Sequence, residues 1–165
     1  MNAKSTLFLT RGALIAALYV ALTFASALFG LASGAIQFRI SEMLCILPIF
    51  MPEAVVGLTL GCLIANLSTN AVIWDVVFGT LATLIGAVGT RLFRKLPKKL
   101  IWLAPLPTVL ANAIIVPFVL IFAYGASGAY HFLMLTVAIG EVVCAWVMGL
   151  VLYYSLLKIK FFNKV

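Results

Sequence analysis

Charge is scarce in this sequence, and negative charge is scarcer still. Four Asp and Glu stand against eleven Lys and Arg in 165 residues, so charged side chains make up 9% where a soluble domain carries roughly a quarter. Histidine occurs once. The three cysteines, Cys45, Cys62 and Cys144, lie within apolar runs with no CxxC or CxxH spacing, so packed free thiols are expected rather than a disulfide or a metal centre. There is no GxxxxGK[ST] loop to cradle nucleotide phosphates. HExxH and GxSxG are missing too, and with them the equipment of the common hydrolases. The chain therefore reads as a non-enzyme, with no catalytic residue, no metal site and no cofactor assigned.

What is present is apolar. Hydrophobic residues make up 65% of the chain and mean hydropathy is +1.26, which describes an integral, multi-pass protein of the cell membrane. Residues 1–165 form one all-α membrane domain, too short to include a soluble one as well. In a soluble protein the net charge of +7 would point to nucleic acid. Here position decides, because basic residues beside membrane spans mark the cytoplasmic side. The excess is topology, the partner it implies is the lipid bilayer, and no nucleic acid is expected.

Six spans are expected, at about residues 12–31, 37–51, 53–67, 74–90, 100–124 and 131–157. The second is short enough to be re-entrant, but parity argues that it crosses. Lys4 and Arg11, then Arg91, Arg94, Lys95, Lys98 and Lys99, then Lys158, Lys160 and Lys164 all reach one side only if even numbers of crossings separate them. Both termini are then cytoplasmic, and Arg39 alone among the basic residues falls at an outer end. Lys4 and Arg11 ahead of an apolar run and Ala25-Ser26-Ala27 also have the outline of a secretory leader. The run, however, is longer than usual for one and continues to Ala32.

Ionisable groups at membrane depth are costly and point to function. Arg39 and Glu42 are three residues apart, a spacing that sets them one turn from each other on a helix face. At about 1.5 Å per residue, they share the outer half of the membrane with Asn66, Asn70, Asp75, Asn112, His131 and Glu141. Each has a structural alternative: ion pairing or snorkelling for Arg39, helix capping for Asp75, interhelical bonding for Asn66 and Asn112, an interfacial place for His131. Glu141, mid-depth with no cation in its own helix, needs a proton, a partner or a ligand. A polar cluster open to the outside and closed below describes a binding cup better than a channel, which needs polar residues throughout. Trp74, Tyr124, Tyr130 and Trp146 are candidates to stack on a planar ligand. Ala13, Ala17, Ala21 and Ala25 recur every fourth residue and form a small-residue stripe, suited either to packing within the chain or to docking another subunit.

Gln37-Phe38-Arg39-Ile40-Ser41-Glu42, Leu47-Pro48, Gly57-Leu58, Gly61-Cys62-Leu63-Ile64-Ala65-Asn66 and the run from Asp75 to Leu84 together resemble the QueT family. These are substrate-binding (S) components of energy-coupling factor (ECF) transporters, linked to queuosine precursors. The resemblance covers most of the chain. It implies a six-helix S-component fold and a substrate such as queuine or a related 7-deazaguanine held near the outer face. It implies too that Ala13, Ala17 and Ala21 dock on a membrane scaffold subunit driven by two cytoplasmic ATPases. Glu141, Glu42 or Asp75 would accept from the base edge. Another vitamin or heterocycle as substrate, or a self-sufficient proton-coupled carrier using Glu141, are the competing readings.

Overall fold

A computed structural model describes residues 2–31, 37–69, 71–159 and 162. Asn70, Lys160, Lys164 and most of the loop around Gly34 lie outside the described residues. Among those described, helices form six runs and no strand occurs. Helix α1 is Ala3–Leu28. A 3-10 helix follows at Ile40–Ile49, then α2 at Glu53–Ser68 and α3 at Ile73–Phe93. A 3-10 turn at Lys98–Leu103 leads into α4 at Leu106–Phe122. The last run, Tyr130–Leu157, joins α5 (Tyr130–Glu141) to α6 (Gly149–Leu157) through a π-helical stretch, Val142–Met148. Four runs, Ala3–Leu28, Ile73–Phe93, Lys98–Phe122 and Tyr130–Leu157, are long and apolar enough to cross a membrane; Ile40–Ile49 and Glu53–Ser68 are shorter and apolar. The outer surface carries Leu14, Leu18, Leu60, Ile64, Leu110 and Val151 among its exposed large side chains, as a bilayer-facing surface does.

The runs alternate in direction. Tyr19, Thr23 and Ser26 of α1 meet Glu42, Ser41 and Ile40 in turn, so the 3-10 helix returns antiparallel to α1. Gly57 then packs on Gly12 and Ile15, and Gly61 on Ala16 and Tyr19, so α2 runs parallel to α1. The segment between them has therefore traversed the bundle. Ten residues of 3-10 helix rise about 20 Å against about 15 Å for an α-helix, which lets a short segment reach further. Asn66 beside Asp75, Thr90 beside Ala104, and Ile114 beside Tyr130 continue the alternation. Both ends of the described chain thus lie at one end of the bundle, with Arg11, Arg91 and Lys158.

The 3-10 helix is the core. It packs against α1, α2, α3, the π-helical stretch and α6, and eight of its residues are buried. Its first free donor, the Ile40 N–H, bonds to Ser26 Oγ at 2.9 Å. At its other end Arg91 Nη1 donates to the Pro48 and Ile49 carbonyls at 2.9 and 3.2 Å, satisfying groups that a helix terminus leaves over. Phe50 stacks on Tyr153 nearby, and Arg11 pairs with buried Glu53 at 3.0 Å.

Close helix contact falls to glycine rather than to the alanine stripe. A Cβ on Gly57 would lie 2.6 Å from the Gly12 carbonyl oxygen, and one on Gly61 2.8 Å from Tyr19 Cβ, so the GxxxG spacing in α2 sets its distance from α1. Ala13, Ala17 and Ala21 are exposed on the opposite face of α1. These three alanines are not the packing surface within this chain.

Candidate binding site

The polar residues converge at the end of the bundle remote from Arg11 and Arg91. A cavity of about 530 Å³ opens there, within the roughly 300–1,000 Å³ common for small-molecule sites. Thr23 and Ala27 of α1, Gln37 and Arg39 ahead of the 3-10 helix, and Asn66 and Thr69 near the end of α2 form one side. Asp75 of α3, Asn112, Val116 and Leu120 of α4, Tyr124 beyond it, and Val137 and Glu141 of α5 form the other. Arg39, Asn66, Asp75, Asn112 and Glu141, picked out in sequence from five separate segments, thus line one space.

Arg39 differs from the geometry its spacing implies. It sits in extended backbone (φ −97°, ψ 97°) just before the 3-10 helix, so it shares no helical face with Glu42. Among the described residues it makes no ion pair. Its Nη2 donates to three neutral acceptors: Asn66 Oδ1 at 3.2 Å, Tyr19 OH at 3.4 Å and Cys62 Sγ at 3.9 Å. Its Nε is buried with no partner among the described residues. Asn112 Nδ2 and Glu141 Oε2 neighbour each other, yet among the described residues neither makes a hydrogen bond of good geometry, in residues only 5% and 8% exposed. Two donors and one acceptor, from three segments, are left over around the same cavity. An unsatisfied buried polar group costs about 1–3 kcal/mol, so a ligand toward which these side chains turn to bond recovers part of that cost.

The remaining carboxylates are occupied. Asp75 Oδ2 accepts from Tyr124 OH at 3.0 Å, and the Val72 N–H donates to that same hydroxyl at 3.3 Å, fixing the α3 entrance against the end of α4. Gly79, one turn on, leaves room for this: a Cβ there would sit 3.0 Å from Asn66 Nδ2 and 3.2 Å from Asp75 Oδ1. Glu42 lines no part of the cavity. It is 2% exposed beneath it, accepting from Tyr19 OH on one oxygen and from Cys45 Sγ at 3.1 Å on the other. His131 is exposed at the start of α5, edge-on to Tyr130, and is not among the cavity residues.

Of the candidate stacking residues, Tyr124 lines the cavity. Trp74 faces a separate apolar groove between α3 and α4, Tyr130 bonds to the Ile114 carbonyl, and Trp146 packs against Trp102. Sequence reasoning passed over Tyr19 and Thr23. Their signal was the spacing of Tyr19, Thr23 and Ser26, a polar line down one face of an otherwise apolar helix. Cys45, Cys62 and Cys144 are buried free thiols, as expected.

The model of the QueT transporter family matches residues 9–158, nearly the whole chain. The chain belongs to the QueT transporter family. Among curated proteins, the queuosine precursor transporter QueT of Lactococcus lactis subsp. cremoris (strain MG1363) is 35% identical over 103 residues. That match takes in 62% of this chain and about 60% of the relative's length. No solved structure matches. Membership fits the apolar helices and makes this a multi-pass membrane protein of a transporter family.

Proposed function

We propose that this chain is the S component of an ECF-type importer and that it captures a queuosine precursor, queuine or a related 7-deazaguanine, at the outer face of the membrane. The observation that carries the reading is the set of leftover bonding atoms around one cavity: Arg39 Nε, Asn112 Nδ2 and Glu141 Oε2. A guanine-like base complements them. Its ring N–H and exocyclic amine lie side by side, as a carboxylate needs, and its carbonyl accepts from an amide or guanidinium. Asn66 and Asp75 complete the wall, and Glu42 acts from below.

In this reading all six helical runs cross the membrane. Both termini are cytoplasmic, by the excess of Lys and Arg at their end of the bundle. The cavity then opens outward, and the exposed Ala13, Ala17 and Ala21 form the face that docks on a scaffold subunit coupled to two ATPases. The sequence carries no phosphate loop of its own, so in this reading the partners hydrolyse the ATP. Co-expression with scaffold and ATPase subunits tests this: uptake of queuine is expected only with active ATPases. Uptake by this chain alone, independent of ATP, would overturn the proposal and favour a proton-coupled carrier.

A further inference from the structure

Arg39 is held by a device that leaves its charge available. We propose that Tyr19 is a positioning residue for the substrate, acting through Arg39; this rests on the cavity being the substrate site. Tyr19 is fully enclosed, at 0% exposure, and lines no part of the cavity, so it cannot touch a ligand. Its hydroxyl stands between opposite charges: it donates to Glu42 Oε1 and accepts from Arg39 Nη2 at 3.4 Å. Glu42 is itself anchored, its second oxygen taking the Cys45 thiol. Thr23, one turn along α1, bonds to the Tyr19 carbonyl at 2.9 Å and to Ser41 Oγ at 2.8 Å, which locks the two segments in register.

A direct Arg39–Glu42 ion pair would neutralise the guanidinium and draw it down out of the cavity. Interposing a phenol avoids this. The carboxylate orients the hydroxyl, the hydroxyl orients the guanidinium, and the positive charge stays aimed at whatever fills the cavity, with Nε unbonded. Without that oxygen Arg39 loses its hold from below. It then drops toward Glu42 or swings outward along its flexible stem.

The test is a double-mutant cycle on the purified full chain, with queuine as probe and both affinity and the ligand-free melting temperature as readouts. Tyr19→Phe is expected to weaken binding about tenfold, the scale of one hydrogen bond to a charged group. In an Arg39→Ala background the same change is expected to leave affinity where Arg39→Ala put it. A purely structural role would lower affinity equally in both backgrounds, and that result would overturn the proposal, as would unaltered binding by Tyr19→Phe. Glu42→Gln serves as the second variant should Tyr19→Phe not fold, with the same dependence on Arg39 expected. If the unmutated chain binds no queuine, the substrate reading falls. The device is then read from the ligand-free melting temperatures, where additive effects of Tyr19→Phe and Arg39→Ala would refute it.

Discussion

Arg39, Asn112 and Glu141 carry the largest claims at the scale of single residues. Each lines the cavity and has a buried side-chain atom with no well-formed hydrogen bond among the described residues, and each comes from a different segment. Removing a group whose partner is a ligand leaves that ligand atom unsatisfied, so Glu141→Gln and Arg39→Ala are each expected to weaken binding by about 1–3 kcal/mol. Calorimetry on the purified variants measures this, and unchanged affinity in both would take them out of the site. Glu42 belongs to a different class despite its similar chemistry. Both its oxygens are taken by Tyr19 and Cys45, and its effect on binding has to pass through its neighbours.

Among the elements, the 3-10 helix and its contact with α1 and α2 decide the arrangement. Glycine sets the spacing, and the cost of changing it can be weighed. Replacing a helical Gly with a side chain gains about 0.5–1 kcal/mol of helix preference. At Gly57 the new Cβ would meet a backbone oxygen at 2.6 Å, which cannot move aside without separating the helices. Gly57→Leu is therefore expected to cost a net 1–3 kcal/mol or so, read as a lower melting temperature in detergent. An unchanged melting temperature would mean that α1 and α2 pack elsewhere.

Which elements were legible in sequence follows from how each is built. The long apolar runs were: Tyr130–Leu157 and Ile73–Phe93 fall within a few residues of the expected spans. Helix α1 begins at Ala3, well before Gly12, because a helix carries on past the point where Lys4 and Arg11 mark a membrane boundary. The over-wound form of the second segment was not legible, since a short apolar stretch has the same pattern as 3-10 or α. The polar lining of the cavity was readable as rare polar residues in apolar runs, which picks out Arg39, Asn66, Asp75, Asn112 and Glu141. Tyr19 was hidden because a tyrosine counts as apolar until something buries its hydroxyl beside a carboxylate.

For the whole molecule, the exposed alanines and the one-ended basic residues belong together. Ala13, Ala17 and Ala21 face away from α2 and present a smooth strip on which a second membrane protein can lie close. Ala17→Leu or Ala21→Leu is expected to impair assembly with a scaffold subunit while ligand affinity stays unchanged, compared by pull-down and calorimetry. Loss of both together would place the stripe inside the fold. The same architecture puts the cavity at one end of the bundle and Arg11 and Arg91 at the other.

A calorimetric titration of the purified chain with queuine, run beside guanine and common vitamins, tests the central claim most directly. The account predicts saturable one-to-one binding of the 7-deazaguanine, tighter than that of any other compound in the panel. An absence of heat with queuine, or equal binding across the panel, would contradict it.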